Sequence, residues 1–480
     1  MKTENPSVEK SSAAMFAWLL VGVIVHPFGL TAAAAETSVR RPNIVFFLTD
    51  DQQADALGCY GNRIIQTPHV DALAKAGVAF DKAFVTTAIC MTSRASILTG
   101  QYAARHGIHG FRQPLSDAQF RESYPAILKR SGYRIAHVGK WHLDAPPAGE
   151  YDFLRWFRGT GWFYENGDRK TPHLTGRLGN DALEFLDGED GSQPFCLTVA
   201  FKAPHVQDQW ANQYPYDRAD PRLVELYRDV TIPDPKLNKP EFFDALPEFL
   251  RDSENRVRWG IRFVTRSRYQ QSVKNYYRLL SGVDREVGRV VAKLKEKGLA
   301  DNTVIIYMSD HGYYLGERGL AGKWFAHDVS MRIPLIIHDP RAAPSRRGQR
   351  IDHVALNIDL APTILGLAGL NKSDTMQGES LVPLLNSRPA DWRTEFFYEH
   401  RLNTYKGIPQ SEGVRTPRWK YIRWLSWNTP VDGSPPALHE ELYDLGNDPD
   451  EANNLALSPT SGTQLEAMRT KWLTWRQRVR

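Results

Sequence analysis

Residues 86–100, TTAICMTSRASILTG, join a cysteine, two small polar residues and an arginine to a run of small and aliphatic residues with helical character. A loop that turns into a helix near Cys90 sets the sulfur at a helix N-terminus, where free N–H groups and the macrodipole favour an anion. Arg94, one turn further on, shares that helix face and brings a guanidinium to the same side. The segment is built for negative charge. Read alone, it also fits a buried structural cysteine beside a surface arginine.

Further polar groups cluster elsewhere in the chain: Asp50 and Asp51 in FLTDDQ, Lys140 and His142 in GKWHL, His205 in KAPH, Asp310 and His311 in SDHG, and Lys323 in LAGKW. Asp50, Asp51 and Asp310 cannot sit close together without a cation to offset their repulsion, and a hard divalent ion with oxygen ligands suits them. His311 as a fourth ligand also admits zinc or manganese. Lys140, His142, His205 and Lys323 would make a cationic lining that neutralises an oxyanion and protonates its leaving group. Singly, each has a plainer reading. Asp50-Asp51 fits a turn or helix cap, Lys323 a solvated lysine, and His205 a turn residue.

These groups need a scaffold, and the surrounding sequence supplies one. Apolar runs at 44–48, 134–138, 195–201 and 304–308 each end in one of the polar clusters, as buried strands of a parallel sheet do. Residues 67–77, TPHVDALAKAG, carry a Thr cap, Pro at the first helical position and Gly past the end, which predicts a short helix. Val273, Tyr277, Leu280, Val283, Val287, Val290 and Leu294 form the apolar stripe of a long helix that stops at Gly298. Strands alternating with helices imply an α/β domain with a large, mostly parallel central sheet flanked by helices. In such sheets ligands bind beyond the C-terminal strand ends, so the scattered groups converge on one pocket.

Two regions depart from that pattern. Residues 207–268 are rich in Trp, Tyr, Pro and charge without a clean period, and read either as an excursion over the binding face or as a solvated insertion. From residue 396, short strand-like runs FFYEH, EGVRT, WKYIRW and ELYDL precede an amphipathic segment with Leu465, Met468, Trp472 and Trp475 at helical spacing. This predicts a smaller C-terminal subdomain with an antiparallel sheet and a helix.

The chain of 480 residues is ordinary in apolar and charged content, and a net charge of +5 spread along it gives no reason to invoke nucleic acid or a membrane surface. At the N-terminus, Lys2 and Lys10 precede a continuous apolar run over 13–25, and a run of four alanines ends at Ala35. These are the parts of a cleaved secretory signal peptide over residues 1–35, with an apolar core too short for a confident membrane span. No stable membrane insertion is expected, and the mature protein would be periplasmic or secreted. The expected organisation is a leader over 1–35, a catalytic α/β domain over 36–395 and the subdomain over 396–480. An exported protein with only Cys59, Cys90 and Cys196 has an odd count, which flags a special thiol.

Taken together, PNIVFFLTDDQ, LGCYGN, CMTSRASILTG, GKWHL, KAPH, SDHGYYLGERGLAGKW and ELYDLGNDPDEANNLA resemble the type I sulfatases of the alkaline-phosphatase superfamily over nearly all of the mature chain. The resemblance implies an alkaline-phosphatase-like fold and a cysteine, here Cys90, converted to formylglycine by a formylglycine-generating enzyme. It implies a calcium ion held by Asp50, Asp51, Asp310 and His311 with the modified Cys90. Arg94 and Lys140 would support the formylglycine, His142 would act as its base, and His205 and Lys323 would contact the sulfate and its leaving oxygen. The implied reaction is covalent: a hydroxyl of the hydrated aldehyde attacks sulfur, the alcohol leaves, and sulfate is then eliminated. The expected substrate is a sulfated saccharide. The alternatives are a phosphomonoester or phosphonate hydrolase of the same superfamily, and a glycan-binding pseudo-enzyme in which Cys90 remains a thiol.

Overall fold

The apolar runs need burial on both faces, and a central eight-stranded sheet supplies it. The computed structural model describes residues 40–480 except 112, 208–215, 217–218, 388, 403–406 and 431–435. The leader assigned to residues 1–35 lies outside the described residues. In chain order the strands are β1 (Asn43–Asp50), β2 (Val78–Phe80), β3 (Arg134–Lys140), β4 (Phe153–Phe157), β5 (Phe195–Pro204), β6 (Thr303–Ser309), β7 (Leu335–His338) and β8 (Gln349–Ile351). They lie side by side as β8-β2-β7-β6-β1-β5-β3-β4.

Every residue of β1 is buried. It runs parallel to β5 on one side and β6 on the other, with Ile44 opposite both Cys196 and Val304. β3 continues the parallel set beyond β5, and β4 beyond β3. Only β7 breaks the direction, pairing antiparallel with β6 and β2. Alternate residues of β1 enter two separate cores, Ile44, Phe46 and Leu48 on one face and Val45 and Phe47 on the other.

Helix α1 (Pro68–Ala76) forms where Pro and Gly bracket it, but Thr67 does not cap it as expected. Its hydroxyl instead accepts from the Gly58 N–H at 3.0 Å and donates to Asp71 at 3.2 Å. The orphan Val70 N–H is taken by Asp284, 2.7 Å away on the long helix. After α2 (Cys90–Thr99) and α3 (Glu254–Arg262), that long helix is α4 (Arg266–Glu296), and its predicted stripe from Val273 to Leu294 lies in the second core.

Strands β9 (Phe396–His400), β10 (Gln410–Arg415), β11 (Trp419–Leu425) and β12 (His439–Asp444) form a separate antiparallel sheet in sequential order, followed by helix α5 (Gly462–Arg478). Leu465, Met468 and Trp472 of α5 join the first core of the large sheet, and residues Arg41–Arg480 form one compact unit. Among the described residues no helix is long and apolar enough to cross a membrane.

The irregular segment folds in its described part into short helical pieces. From α3, Asn255 donates to the Lys323 carbonyl at 3.1 Å, and Arg258 stacks on Trp324 at 4.6 Å. This part therefore buttresses Lys323.

Candidate active site

The four parallel strands at the centre of the sheet, β6, β1, β5 and β3, are neighbours, and each ends in a predicted site group. Asp50 closes β1 and Lys140 closes β3; His205 follows β5, and Asp310 with His311 follows β6. Parallel direction puts all these ends on one edge of the sheet. Cys90 is the first residue of α2, as expected, and Lys323 comes from a turn after β6. Asp51, His142 and Trp324 have left-handed backbone, with φ of 67°, 65° and 80°. Such strain in non-glycine residues collects at functional sites. Gly139 is required before Lys140, because its φ is 107° and a Cβ there would strike the Ala200 carbonyl.

Cys90 is the meeting point. Its Sγ is 3.3 Å from Asp50 Oδ1, 3.2 Å from His311 Nε2 and 3.0 Å from Lys323 Nζ. Lys323 also donates to Asp51 Oδ1 at 2.6 Å, and Lys140 is in direct ion pair with Asp50. His205 Nε2 stands 3.6 Å from Asp51 Oδ2. The guanidinium of Arg94 does not bond the sulfur; Nε reaches Asp310 Oδ2 at 3.0 Å and Nη1 the Lys140 carbonyl at 2.7 Å. Arg94 thus ties two strand ends together. Asp50, Asp51, Asp310, His311 and Lys140 are all at most 1% exposed.

Burial opposes every charge here, and at Asp50 and Cys90 the neighbouring cations outweigh it. Burial raises the Asp50 pKa, but Lys140, His205, Lys323 and Arg94 together outweigh it and hold the carboxyl well below its usual range. Burial and Asp50 push the Cys90 thiol up, yet Lys140, Lys323 and His311 bring it down to about 6. His142 is held well below its usual value, first by burial and then by Lys140. Cys196 behaves as a plain buried thiol, pushed up to about 12 by burial alone. All three cysteines are free.

Asp50, Asp51, Cys90 and His311 each offer a ligand atom, and these four atoms lie within 4.8 Å of one another. Asp310 stands at the edge of that group, its Oδ1 3.4 Å from His311 Nε2 and its Oδ2 occupied by Arg94. His142 is set apart from the sulfur and lines a cavity of about 690 Å³ with Met91, Phe111, Asp144, Arg158 and Gly159. Its Nδ1 is buried without a partner among the described residues.

Sequence reasoning missed several supporting residues. Ser309 accepts from the Gln52 N–H at 3.1 Å and donates to the His311 carbonyl at 2.8 Å, fixing the segments that follow β1 and β6 to each other. Its place as the first residue of SDHG was the available signal. Phe111, Asp144 and Arg158 lie in loops without a motif, so nothing local marked them.

The family model described as Sulfatase matches residues 42–370, and one described as N-sulphoglucosamine sulphohydrolase, C-terminal, matches residues 316–478. The N-acetylglucosamine-6-O-sulfatase of Bacteroides thetaiotaomicron is 29% identical over 540 aligned residues, covering 94% of this chain and 91% of that one. The human N-acetylglucosamine-6-sulfatase is 28% identical over 502, covering 91% and 85%. A solved structure in complex with its substrate D-glucosamine-2-N,6-O-disulfate superposes with a TM-score of 0.77 at 26% identity, covering 92% and 98%. The phosphonate monoester hydrolase of Agrobacterium radiobacter shares the fold, with a TM-score of 0.73 at 22% identity, covering 92% of this chain and 96% of that one. The matched Sulfatase region spans every strand end that supplies a group to Cys90, and the chain therefore belongs to the sulfatase family of the alkaline-phosphatase superfamily and is a sulfatase.

Proposed function

We propose that this sulfatase removes sulfate from a sulfated saccharide, using a formylglycine made from Cys90 and a calcium ion. The observation that carries the reading is the placement of Cys90 Sγ within 3.3 Å of a lysine, an imidazole and a carboxylate. Asp50, Asp51, Asp310 and His311 would hold the ion. The donor set fits, because carboxylate oxygens predominate as a hard divalent cation requires, and four ligand atoms already converge. Bound there, calcium supplies positive charge that offsets the crowded carboxylates and polarises an oxygen at position 90. The hydrated aldehyde at position 90 supplies a hydroxyl nucleophile.

The chain's own groups account for the rest. Lys323 and Lys140 present ammonium charge to the oxygens of a sulfate, in a site closed enough to water for that charge to act strongly. His205 has Nδ1 within 2.9 Å of the Val206 carbonyl, which orients Nε2 toward the site as the donor to a departing alkoxide. His142, kept neutral by burial and Lys140, has an Nδ1 without a partner among the described residues, which can accept a proton. Arg94 fixes Asp310 and the end of β3.

We further propose a leader over 1–35 that exports the protein, a catalytic domain over 36–395 and a subdomain over 396–480, with a formylglycine-generating enzyme as the maturation partner. The two N-acetylglucosamine-6-sulfatase relatives make N-acetylglucosamine 6-sulfate the first saccharide to assay. Peptide mass spectrometry across residues 86–94 of active enzyme is expected to find aldehyde in place of thiol, with turnover abolished in Cys90→Ala. Full activity with an unmodified thiol overturns the reading.

A further inference from the structure

The parallel set of strands continues past β3 to β4, which runs beside it in the same direction with Phe157 opposite Lys140. The residues that follow these two strands therefore leave from the edge that carries the groups around Cys90. Beyond β3 the chain reaches His142 and Asp144, both with left-handed backbone, at φ of 65° and 63°. Leu143 between them is 0% exposed and belongs to the first core, which anchors the turn that presents its two neighbours. Beyond β4 the chain reaches Arg158, whose Nη2 lies 2.8 Å from Asp144 Oδ1.

This pair is open to a ligand. The side chain of Arg158 is 73% exposed and that of Asp144 44%, and both line the cavity of about 690 Å³ that His142 and Met91 also line. Met91 follows Cys90 at the start of α2, so the cavity borders position 90. Its volume falls within the range of about 300–1,000 Å³ usual for small-molecule sites. Phe111 packs its ring 6.0 Å from that of His142 and gives the cavity an apolar wall. An exposed ion pair adds little to stability, so the fold has small need of Asp144 and Arg158.

The chemistry of the pair selects what it binds. A carboxylate only accepts hydrogen bonds and a guanidinium only donates them. Side by side they suit two neighbouring sugar hydroxyls, one donating to Asp144 and the other accepting from Arg158. A second sulfate or a carboxylate on the substrate would meet the like charge of Asp144, so the pair discriminates against an anion.

We propose that Asp144 and Arg158 are specificity-determining contacts that hold neighbouring hydroxyls of the sugar carrying the scissile sulfate, with Phe111 against its ring. This rests on the carbohydrate reading above. It extends the substrate site by one strand, to β4, and it accounts for selection of a saccharide over an aryl sulfate, which has no such hydroxyls.

The test measures kcat and KM in the wild type, Arg158→Ala, Arg158→Lys, Asp144→Ala and Asp144→Asn. The substrates are nitrophenyl sulfate and N-acetylglucosamine 6-sulfate, the latter replaced, if the wild type does not turn it over, by the monosulfated sugar it turns over fastest. Arg158→Ala and Asp144→Ala are each expected to lose about 10- to 30-fold more kcat/KM on the saccharide than on nitrophenyl sulfate, chiefly through KM. Arg158→Lys keeps a donor and Asp144→Asn an acceptor, so each should recover part of the loss. Equal losses on both substrates, or a saccharide loss carried by kcat alone, overturn the inference. A loss in Arg158→Ala confined to disulfated or carboxylated sugars also overturns it, because Arg158 would then read an anion. Wild-type turnover of nitrophenyl sulfate with none of any sulfated saccharide overturns the carbohydrate reading, and this inference with it.

Discussion

Lys323 Nζ lies 3.0 Å from Cys90 Sγ although 233 residues separate them in the chain. Burial works against a lysine cation at this position, but Asp51, Cys90 and Asp50 hold its pKa well above the usual value. The ammonium is therefore a fixed positive charge beside the Cys90 sulfur.

Lys323→Ala is accordingly expected to lower kcat by about 100- to 1,000-fold, the usual cost of removing one preorganised electrostatic donor. Lys323→Arg should not restore it, because a planar guanidinium cannot occupy the point position of an ammonium between Asp51 and Cys90. Steady-state kinetics on nitrophenyl sulfate, with circular dichroism to confirm folding, checks both.

Asp310→Ala removes the partner of Arg94, which is 4% exposed. Losing that buried pair, with only the Lys140 carbonyl and Asp50 at 3.9 Å left to Arg94, should cost about 3 kcal/mol of stability, readable by urea unfolding. Calcium content by elemental analysis should fall together with activity. Stoichiometric zinc and no calcium in the wild type would contradict the metal assignment.

His205 is proposed to protonate the leaving alkoxide, and sugar alcohols need that proton more than nitrophenol does. His205→Ala should thus depress saccharide turnover about 100-fold more than nitrophenyl sulfate turnover. Parallel losses on the two substrates would remove His205 from this role.

Asp284 offers a stability test away from the site. Burial raises its carboxyl pKa to about 7 despite the hydrogen bonds it accepts from the first turn of α1. The folded value exceeds the unfolded one of about 4, so the folded protein retains this proton longer. The contribution to stability is full below about pH 4 and is lost as pH rises through 7. Asp284→Asn keeps an acceptor for the Val70 N–H without the ionisation, and should raise the unfolding midpoint above pH 7.5 while changing little at pH 5. Thermal melts at the two pH values measure the difference.

The legible part of the site was its list of polar groups. Asp50, Lys140, His205 and Asp310 each follow an apolar run, and a parallel sheet brings such ends to one edge whatever the order of its strands. Cys90 was legible for a similar reason, because a loop running into small helical residues marks a helix start. The stripe on α4 was legible because helical periodicity is written within one segment. The family resemblance then joined these local signals into an expected activity.

By itself, then, the sequence determined the strands, the long helix, the polar groups at the strand ends and the kind of charge they bring, because periodicity, capping and composition act over a few neighbouring residues. Tertiary structure alone decided the pairings. It put β6 and β5 on either side of β1, turned β7 antiparallel, and gave Arg94 to Asp310 rather than to the sulfur. It set His142 in a neighbouring cavity. Each of these depends on which surfaces meet after the chain has crossed over, and packing between residues hundreds of positions apart leaves no local period to read.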